Sequence, residues 1–227
     1  MHQPMLQSAR ERTQRWLSLC GMAAGPVFTL TWLIAGAFRS AYDPLRHPIS
    51  SLAIGEQGWT QVASFMITGM LMGAFAVGLR RAFKGQPAGT WGPILLGLIA
   101  LGLLGAGVFV TDPLNGYPVG TIALPVDYTF AGRLHRSLSA LVFIGLPGAC
   151  FVLARRFSRL GRRSWATYSN ATGVGFLVLF VITSLGFGQV AGLQAVAGLF
   201  QRITLTVGWV WVFLLALDGF KAVGARV

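Results

Sequence analysis

A polar segment at residues 43–52 holds side chains that could carry out chemistry, and it lies between two long apolar stretches. Its sequence, Asp43-Pro-Leu-Arg-His-Pro-Ile-Ser-Ser-Leu52, places a carboxylate, a guanidinium, an imidazole and two hydroxyls within nine positions. Nucleophilic catalysis requires a hydroxyl or thiol, a base that removes its proton, and an acid that orients the base. Because the segment supplies several of these groups, we expect a site whose other members come from elsewhere in the chain.

A second polar segment begins at Asp112 and repeats the start of the first. Asp112-Pro-Leu is followed by Pro118, as Asp43-Pro-Leu is followed by Pro48. In both copies the proline ends a helix, and the aspartate can accept hydrogen bonds from the exposed amides of a turn. A third segment, Arg133-Leu-His-Arg136, opens a later apolar stretch. Together they supply one candidate catalytic set: Ser50 or Ser51 as nucleophile, His135 as base, and Asp43 or Asp112 as orienting acid.

The same segments allow three other interpretations. The serines would be N-caps of a short interfacial helix over residues 51–55, because hydroxyls accept from the first amides of a helix. Arginines would hold a lipid phosphate or another anion, the candidates being Arg46, Arg133, Arg136 and Arg202. Histidines and carboxylates suit zinc, the candidate ligands being His47, His135 and Asp112, with Asp43 and Asp127 as further carboxylates. The chain has neither paired-histidine spacing nor a nucleophile-elbow pattern, and we expect no cofactor.

Composition places these segments in a membrane protein. Apolar residues make up 54% of the chain and charged residues only 11%, whereas soluble domains carry about 25% charged residues. A net charge of +12 would suggest nucleic-acid binding in a soluble protein. Here the basic residues flank apolar stretches, so we expect no nucleic-acid partner. Cys20 and Cys150 lie inside apolar stretches and form no motif, which indicates buried thiols.

The charge-free stretches predict an all-α polytopic membrane protein with six transmembrane helices in a single domain over residues 1–227. A helix needs about 20 apolar residues to cross the hydrocarbon core of a bilayer. Basic clusters such as Arg80, Arg81 and Lys84, together with glycines and prolines, separate the stretches. The expected helices are 16–38, 59–79, 91–111, 132–154, 165–187 and 198–220.

The distribution of positive charge predicts the orientation in the membrane. Thirteen of the 18 Lys and Arg residues fall in the N-terminal segment, the turns at 80–84 and 155–163, and the C-terminal segment. Cytoplasmic segments carry such an excess. We therefore expect both termini in the cytoplasm of a prokaryotic cell, with the chain in the plasma membrane. The two Asp-Pro segments and the start of the fourth helix then lie on the outer face.

The polar segments together resemble a known family. Residues 43–52, then Gly55 and Gly58-Trp59, with Thr111-Asp-Pro113 and Gly132-Arg-Leu-His135, are similar to the bacterial and archaeal membrane family called domain of unknown function 998. The resemblance extends from the first helix to the sixth. It implies a small multi-helix membrane protein and brings no settled activity.

Three classes of function remain open from the sequence: binding or transport, catalysis, and a structural or assembly role in which the loops meet another membrane protein. The first is binding without covalent chemistry, in which an outer-facing polar site between the 43–51 loop, the Asp112 loop and the His135 helix start holds a lipid headgroup or a small anionic ligand. The second is a membrane-embedded hydrolase or transferase, with or without a metal, that uses the candidate catalytic set. The expected partners are membrane lipids, a lipid or anionic small molecule, and a second copy of the chain.

Overall fold

Six long helices form the part of the protein that the structure describes, as the charge-free stretches predict. The computed structural model describes residues 2–86 and 88–224, with side chains described from Ala9 onward. Within these residues, six helices are long and apolar enough to cross a membrane. They are α1 (His2–Phe38), α2 (Trp59–Ala82), α3 (Trp91–Val108), α4 (Phe130–Arg159), α5 (Arg163–Phe187) and α6 (Ala197–Gly224). The prediction of an all-α polytopic membrane protein is therefore confirmed.

The six helices form a closed ring. Each helix packs against the helices before and after it in sequence, and α6 also packs against α1. The connections at 39–58, 109–129 and 188–196 lie at one end of the bundle, which we call the loop face. The other end, which we call the basic face, carries the turns at 83–90 and 160–162 with the start of α1 and the end of α6. Sequence neighbours are spatial neighbours because most of the connections are short.

Several helix ends differ from the predicted ones. Helix α3 ends at Val108 rather than at 111, because Phe109 is already extended (φ −105°, ψ 109°). Helix α4 begins at Phe130 rather than at 132, because the Thr129 side chain caps it by accepting from Gly132 N. At the basic face, α1, α2, α4 and α6 continue beyond the predicted limits. Charged residues end a charge-free stretch in the sequence, but a helix can continue past them into the headgroup region.

Glycines set how closely particular helices approach. A Cβ on Gly25 would lie 2.8 Å from Trp209 Cβ, and a Cβ on Gly102 would lie 2.7 Å from the carbonyl oxygen of Leu138. These separations are shorter than van der Waals contact, so the α1–α6 and α3–α4 crossings require a residue without a side chain. Gly25 belongs to the Gly21-x-x-x-Gly25 spacing, a pattern that permits close helix packing.

The connection after α1 folds into two short 3₁₀ helices, Ile49–Ala53 and Glu56–Gly58. The guanidinium of Arg39 donates to Leu52 O (2.9 Å) and Ile54 O (2.8 Å) and so satisfies carbonyls at the end of the first one. Pro48 is the N-cap residue of this helix, and no side chain caps it. The prediction that Ser50 and Ser51 cap a helix over 51–55 is therefore wrong, since both lie inside a helix that starts earlier.

Candidate functional site

Asn115 joins all three connections of the loop face. Its side-chain nitrogen donates to Arg46 O (2.8 Å) and to Gln194 O (3.0 Å), and its side-chain oxygen accepts from Gln189 Nε2 (2.7 Å). Arg46 Nε donates in return to Asn115 O (3.1 Å). Asn115 is buried and has a left-handed backbone (φ 60°). Sequence reasoning missed this residue, and the only available signal was the Asn115-Gly116 pair, which is typical of a turn.

Arg202 attaches the start of α6 to the connection after α1. Its guanidinium donates to His47 O (3.1 Å), to Gly198 O (2.9 Å) and to the hydroxyl of Tyr42. The guanidinium carbon also lies 5.0 Å from the centre of the Trp32 ring. Arg202 is buried, and its contacts are groups of the protein itself. These contacts give the residue a structural role, and its predicted role in ligand binding stays a prediction.

His47 lies in a cluster of aromatic rings. Its ring centre is 5.6 Å from that of Tyr42 and 5.1 Å from that of Tyr117, and Nδ1 accepts from Asp43 N (2.9 Å). Burial lowers the pKa of His47, against the opposing charge of Asp43, which agrees with a neutral ring that accepts at Nδ1. Burial likewise raises the pKa of the Tyr42 phenol.

Asp112 fixes the start of α4. Its carboxylate accepts from Thr129 N (3.0 Å) and from the Thr129 hydroxyl (2.7 Å), and that hydroxyl accepts from Gly132 N (3.0 Å). Gly132 lies so close to the carboxylate that a Cβ there would overlap it. Asp43, the counterpart of Asp112 in the repeated pattern, is exposed and accepts from Leu45 N (2.9 Å) within its own turn. The two aspartates therefore occupy different environments despite the shared pattern.

His135 lies near the start of α4, where it contacts the end of α3. Its Nδ1 is 2.7 Å from Phe109 O. Because a carbonyl oxygen only accepts, Nδ1 carries the proton and donates it. The ring also packs edge-on against Phe65, with 6.2 Å between ring centres. A catalytic histidine would donate this proton to an orienting acid. Here the carbonyl of Phe109 takes that place, and both oxygens of Asp112 are bonded to Thr129.

A cavity of about 390 Å³ opens in the loop-face half of the ring, and all six helices line it. We call it the loop-face cavity. Its polar lining includes Ser50, Asp112, His135, Arg136 and Gln201. Its apolar lining includes Phe28, Leu103, Val142, Leu205 and Trp209. Three predicted catalytic residues and one predicted ligand-binding arginine therefore share one cavity.

Other predicted site residues lie outside the set of described residues that line the cavity: Asp43, Arg46, Ser51, Arg133 and Arg202. Arg133 is exposed on α4. Ser51 is buried, and its hydroxyl has no hydrogen-bond partner within the described chain. Among the residues with described positions, no three His, Cys, Asp or Glu side chains converge on a point where they could hold a metal ion. The structure thus gives the proposed zinc ligands His47, His135 and Asp112 no common position.

Some hydrogen-bond donors that line the cavity have no partner within the described part of the protein and could donate to a ligand. Gln201 Oε1 accepts from Ile49 N (2.8 Å), which orients the amide and leaves its NH₂ group to donate. The indole NH of Trp209 also lacks a partner in the part of the chain that the structure describes, but its nitrogen is buried away from the open space of the cavity. The guanidinium of Arg136 lies 4.2 Å above the ring of Tyr128 and is exposed. A stacked guanidinium keeps its in-plane N–H groups for an acceptor.

The exposed residues that line the loop-face cavity lie in the loop-face halves of α4 and α5 and in the neighbouring connections. The rings of Phe143 and Phe180 stack at 4.5 Å and bring the two helices together at mid-height. Toward the loop face, Arg136 on α4 and Ser184 on α5 both line the cavity and are exposed. Because the outer flanks of transmembrane helices face lipid, we infer that the cavity is open toward the membrane on the α4–α5 side.

Comparison with known proteins gives one match. A family model with the description "Protein of unknown function (DUF998)" matches residues 22–218. This range includes the three connections of the loop face and every residue that lines the loop-face cavity. Neither the curated proteins nor the solved structures contain a match.

Proposed function

Because the chain belongs to the DUF998 family of membrane proteins, whose description assigns no activity, we propose a function from the loop-face cavity. The cavity binds an amphiphile without covalent chemistry, with a polar or anionic headgroup near Arg136 and Gln201 and an apolar body near Trp209. The observation that carries this proposal is that one cavity is lined both by polar residues with available donors and by apolar residues.

The headgroup end suits an anion such as a phosphate. A guanidinium forms charge-assisted hydrogen bonds to phosphate and carboxylate oxygens. Arg136 has this capacity because its described partner is the face of the Tyr128 ring. The Gln201 amide and the Ser50 hydroxyl add neutral donors on the opposite wall. The Asp112 carboxylate, whose oxygens accept from Thr129, opposes the binding of an anion, and the Arg136 guanidinium supplies the compensating positive charge.

The size of the cavity limits how much of a lipid it encloses. Its volume of about 390 Å³ lies near the lower end of the range of about 300–1,000 Å³ for ligand pockets. We infer that the cavity encloses a headgroup and the first part of an acyl chain. The remaining chain then passes between Arg136 and Ser184 into the bilayer. With the predicted orientation, the ligand comes from the outer leaflet of the prokaryotic plasma membrane.

Catalysis is the alternative, because Ser50, Asp112 and His135 all line the cavity. The geometry gives it less support, since His135 donates to Phe109 O and Asp112 accepts from Thr129. A serine-reactive lipid probe distinguishes the two functions. We expect no labelling that depends on Ser50. Covalent labelling of the protein that Ser50→Ala abolishes would favour the hydrolase or transferase.

Lipid retention by two arginine variants tests the binding proposal. Arg133 and Arg136 are both exposed at the start of α4, and only Arg136 lines the cavity. We expect Arg136→Gln to weaken binding of phosphatidylglycerol about tenfold, from loss of a charge-assisted hydrogen bond, and Arg133→Gln to change it little. Native mass spectrometry of the detergent-purified protein, titrated with phosphatidylglycerol or phosphatidylcholine, measures both affinities. Equal effects of the two variants would reject the cavity as the binding site.

A further inference from the structure

A second, larger cavity lies at the basic face, on the opposite side of the bundle from the proposed amphiphile site. It measures about 970 Å³ and is enclosed by the ends of α1, α2, α4 and α6 and by the turn after α2. We call it the basic-face cavity. Positive charge at this face has a simple explanation as an orientation signal, because cytoplasmic segments carry Lys and Arg. An orientation signal requires charged residues in the turns, but it does not require that their side chains line one cavity.

Five cationic side chains line the basic-face cavity, against two carboxylates, Glu11 and Asp218: these are Arg10, Arg81, Lys84, Arg156 and Arg162. The charge of Asp218 is paired with that of Arg162, because the two carboxylate oxygens accept from the two guanidinium nitrogens at 2.8 and 2.6 Å. No carboxylate of the described residues pairs with Arg10, Arg81 or Lys84. The cavity therefore holds an excess of positive charge.

Arg156 carries positive charge below the exposed rim. It is buried, donates to Gln86 Oε1 (2.6 Å) and lies 3.8 Å from the centre of the Phe83 ring. These contacts hold the guanidinium in one position. A guanidinium that is already held in position loses little conformational freedom when an anion binds. This favours binding of one anion at a defined place over diffuse attraction of many ions.

The inner wall of the cavity is apolar. It is formed by Phe75 and Leu79 of α2, Phe157 of α4 and Leu215 of α6. Cations at a rim above apolar walls match a molecule with an anionic group on an apolar body. Phosphate is the anion that several Arg and Lys side chains bind together.

We propose that the basic-face cavity is a second binding site, for a phosphate group carried on an apolar body. The same chemistry occurs in an anionic phospholipid of the adjacent leaflet and in a soluble phosphate ester. Exposed Arg81 and Lys84 contact the phosphate, and the apolar wall contacts the attached chain or ring. This site is independent of the loop-face cavity, because the two cavities share no described lining residue.

Photocrosslinking with a charge-matched control tests this proposal. Arg155 and Arg159 are exposed at the same face and lie outside the described lining of the cavity. We expect Arg81→Gln with Lys84→Gln to reduce crosslinking of a diazirine phosphatidylglycerol to the facing ends of α1 and α6 about tenfold, and Arg155→Gln with Arg159→Gln to reduce it less than about twofold. Peptide mapping by mass spectrometry separates these crosslinks from crosslinks to α4 and α5 at the loop face.

A steric variant and a soluble competitor complete the test. Ala222 is exposed and lines the cavity, so Ala222→Trp should block it without a change of charge. Competition by soluble glycerol phosphate or inorganic pyrophosphate at millimolar concentration would indicate a soluble phosphate ester as the ligand, whereas resistance to both would indicate phospholipid. Equal losses in the two double-glutamine variants, or full crosslinking in Ala222→Trp, would overturn the proposal. Arg136→Gln should leave these crosslinks unchanged even if the loop-face cavity binds nothing.

Discussion

The loop face depends on a few buried polar residues whose partners come from distant parts of the chain. Asn115 bonds to residues 69, 79 and 74 positions away, and Arg202 bonds to His47, 155 positions away. A buried polar group is unfavourable unless it is hydrogen-bonded, so each of these residues stabilises one specific arrangement of the connections. The shape of the polar end of the loop-face cavity therefore depends on Asn115 and Arg202.

Replacement of Asn115 tests this role. We expect Asn115→Ala to lower the free energy of unfolding by about 2–3 kcal/mol, because Arg46 O and Gln194 O lose their donor and Gln189 Nε2 loses its acceptor. Thermal unfolding followed by circular dichroism in detergent measures the change.

Two comparisons identify the cause of that loss. Asn115→Gly also removes the side chain but accepts the left-handed backbone at φ 60°, so it should be less destabilising than Asn115→Ala by about 1 kcal/mol. Asn170→Ala, at an exposed position of α5, should change stability by less than about 0.5 kcal/mol. An effect of Asn115→Ala no larger than that of Asn170→Ala would contradict the role of Asn115.

Residue types explain why part of the site was predictable and part was not. Ser50, Asp112 and His135 are polar residues beside apolar stretches, which marks them in the sequence, and the structure places them at one cavity. The partners of Arg202 are mainly backbone carbonyls, which every residue has, so no residue type identifies them. For the same reason, the role of the Phe109 carbonyl as the partner of His135 could not be inferred.

At the scale of elements, glycine positions distinguish packed helix faces from open ones. Gly97 and Gly102 both lie inside α3. A Cβ on Gly102 would meet the backbone oxygen of Leu138 at 2.7 Å, whereas a Cβ on Gly97 would have no described atom within 4 Å. A helix backbone cannot move aside as a flexible side chain can.

The two α3 glycines therefore give a paired prediction. Gly102→Ala should destabilise the protein by about 1–3 kcal/mol, because α3 and α4 must separate to admit the methyl group. Gly97→Ala should be neutral or stabilising by up to about 1 kcal/mol, since alanine has the higher helix propensity. Unfolding in detergent with increasing denaturant compares them. Similar effects of the two substitutions would show that the close α3–α4 contact does not limit stability.

The sequence predicts that the helices exist better than it predicts where each helix ends or which helices pack together. A run of about 20 apolar residues has few alternatives to a transmembrane helix. The limits depend on local geometry, such as the extended backbone of Phe109 and the Thr129 cap. The closure of α6 on α1 depends on complementary surfaces, including Gly25 against Trp209, that hydropathy does not describe.

At the scale of the whole molecule, a tightly packed layer separates the two cavities. Ile99, Leu146, Phe176, Trp211 and Val212 come from four helices and are all almost fully buried. The loop-face and basic-face cavities lie toward opposite ends of the bundle and share no described lining residue.

The orientation of the two faces is open to direct measurement. Six crossings would leave both ends of the described chain path on the basic face, and from the positive-inside rule we expect that face in the cytoplasm. Val126 at the loop face and Arg159 at the basic face are exposed. In a variant with Cys20→Ala, we expect Val126→Cys to react with a membrane-impermeant maleimide in intact cells, and Arg159→Cys to react only after permeabilisation. The reverse pattern would place the loop-face cavity in the cytoplasm.

The contact between α6 and the first connection has a consequence for biosynthesis. Leu199 N donates to Leu45 O (2.9 Å), and Arg202 donates to His47 O, so the ribosome makes these acceptors long before it makes their donors. Until the sixth helix is made, the first five helices lack these donors and lack the helix that closes the ring on α1. We therefore expect a chain truncated before α6 to leave both cavities incomplete, because residues of α6 line each of them.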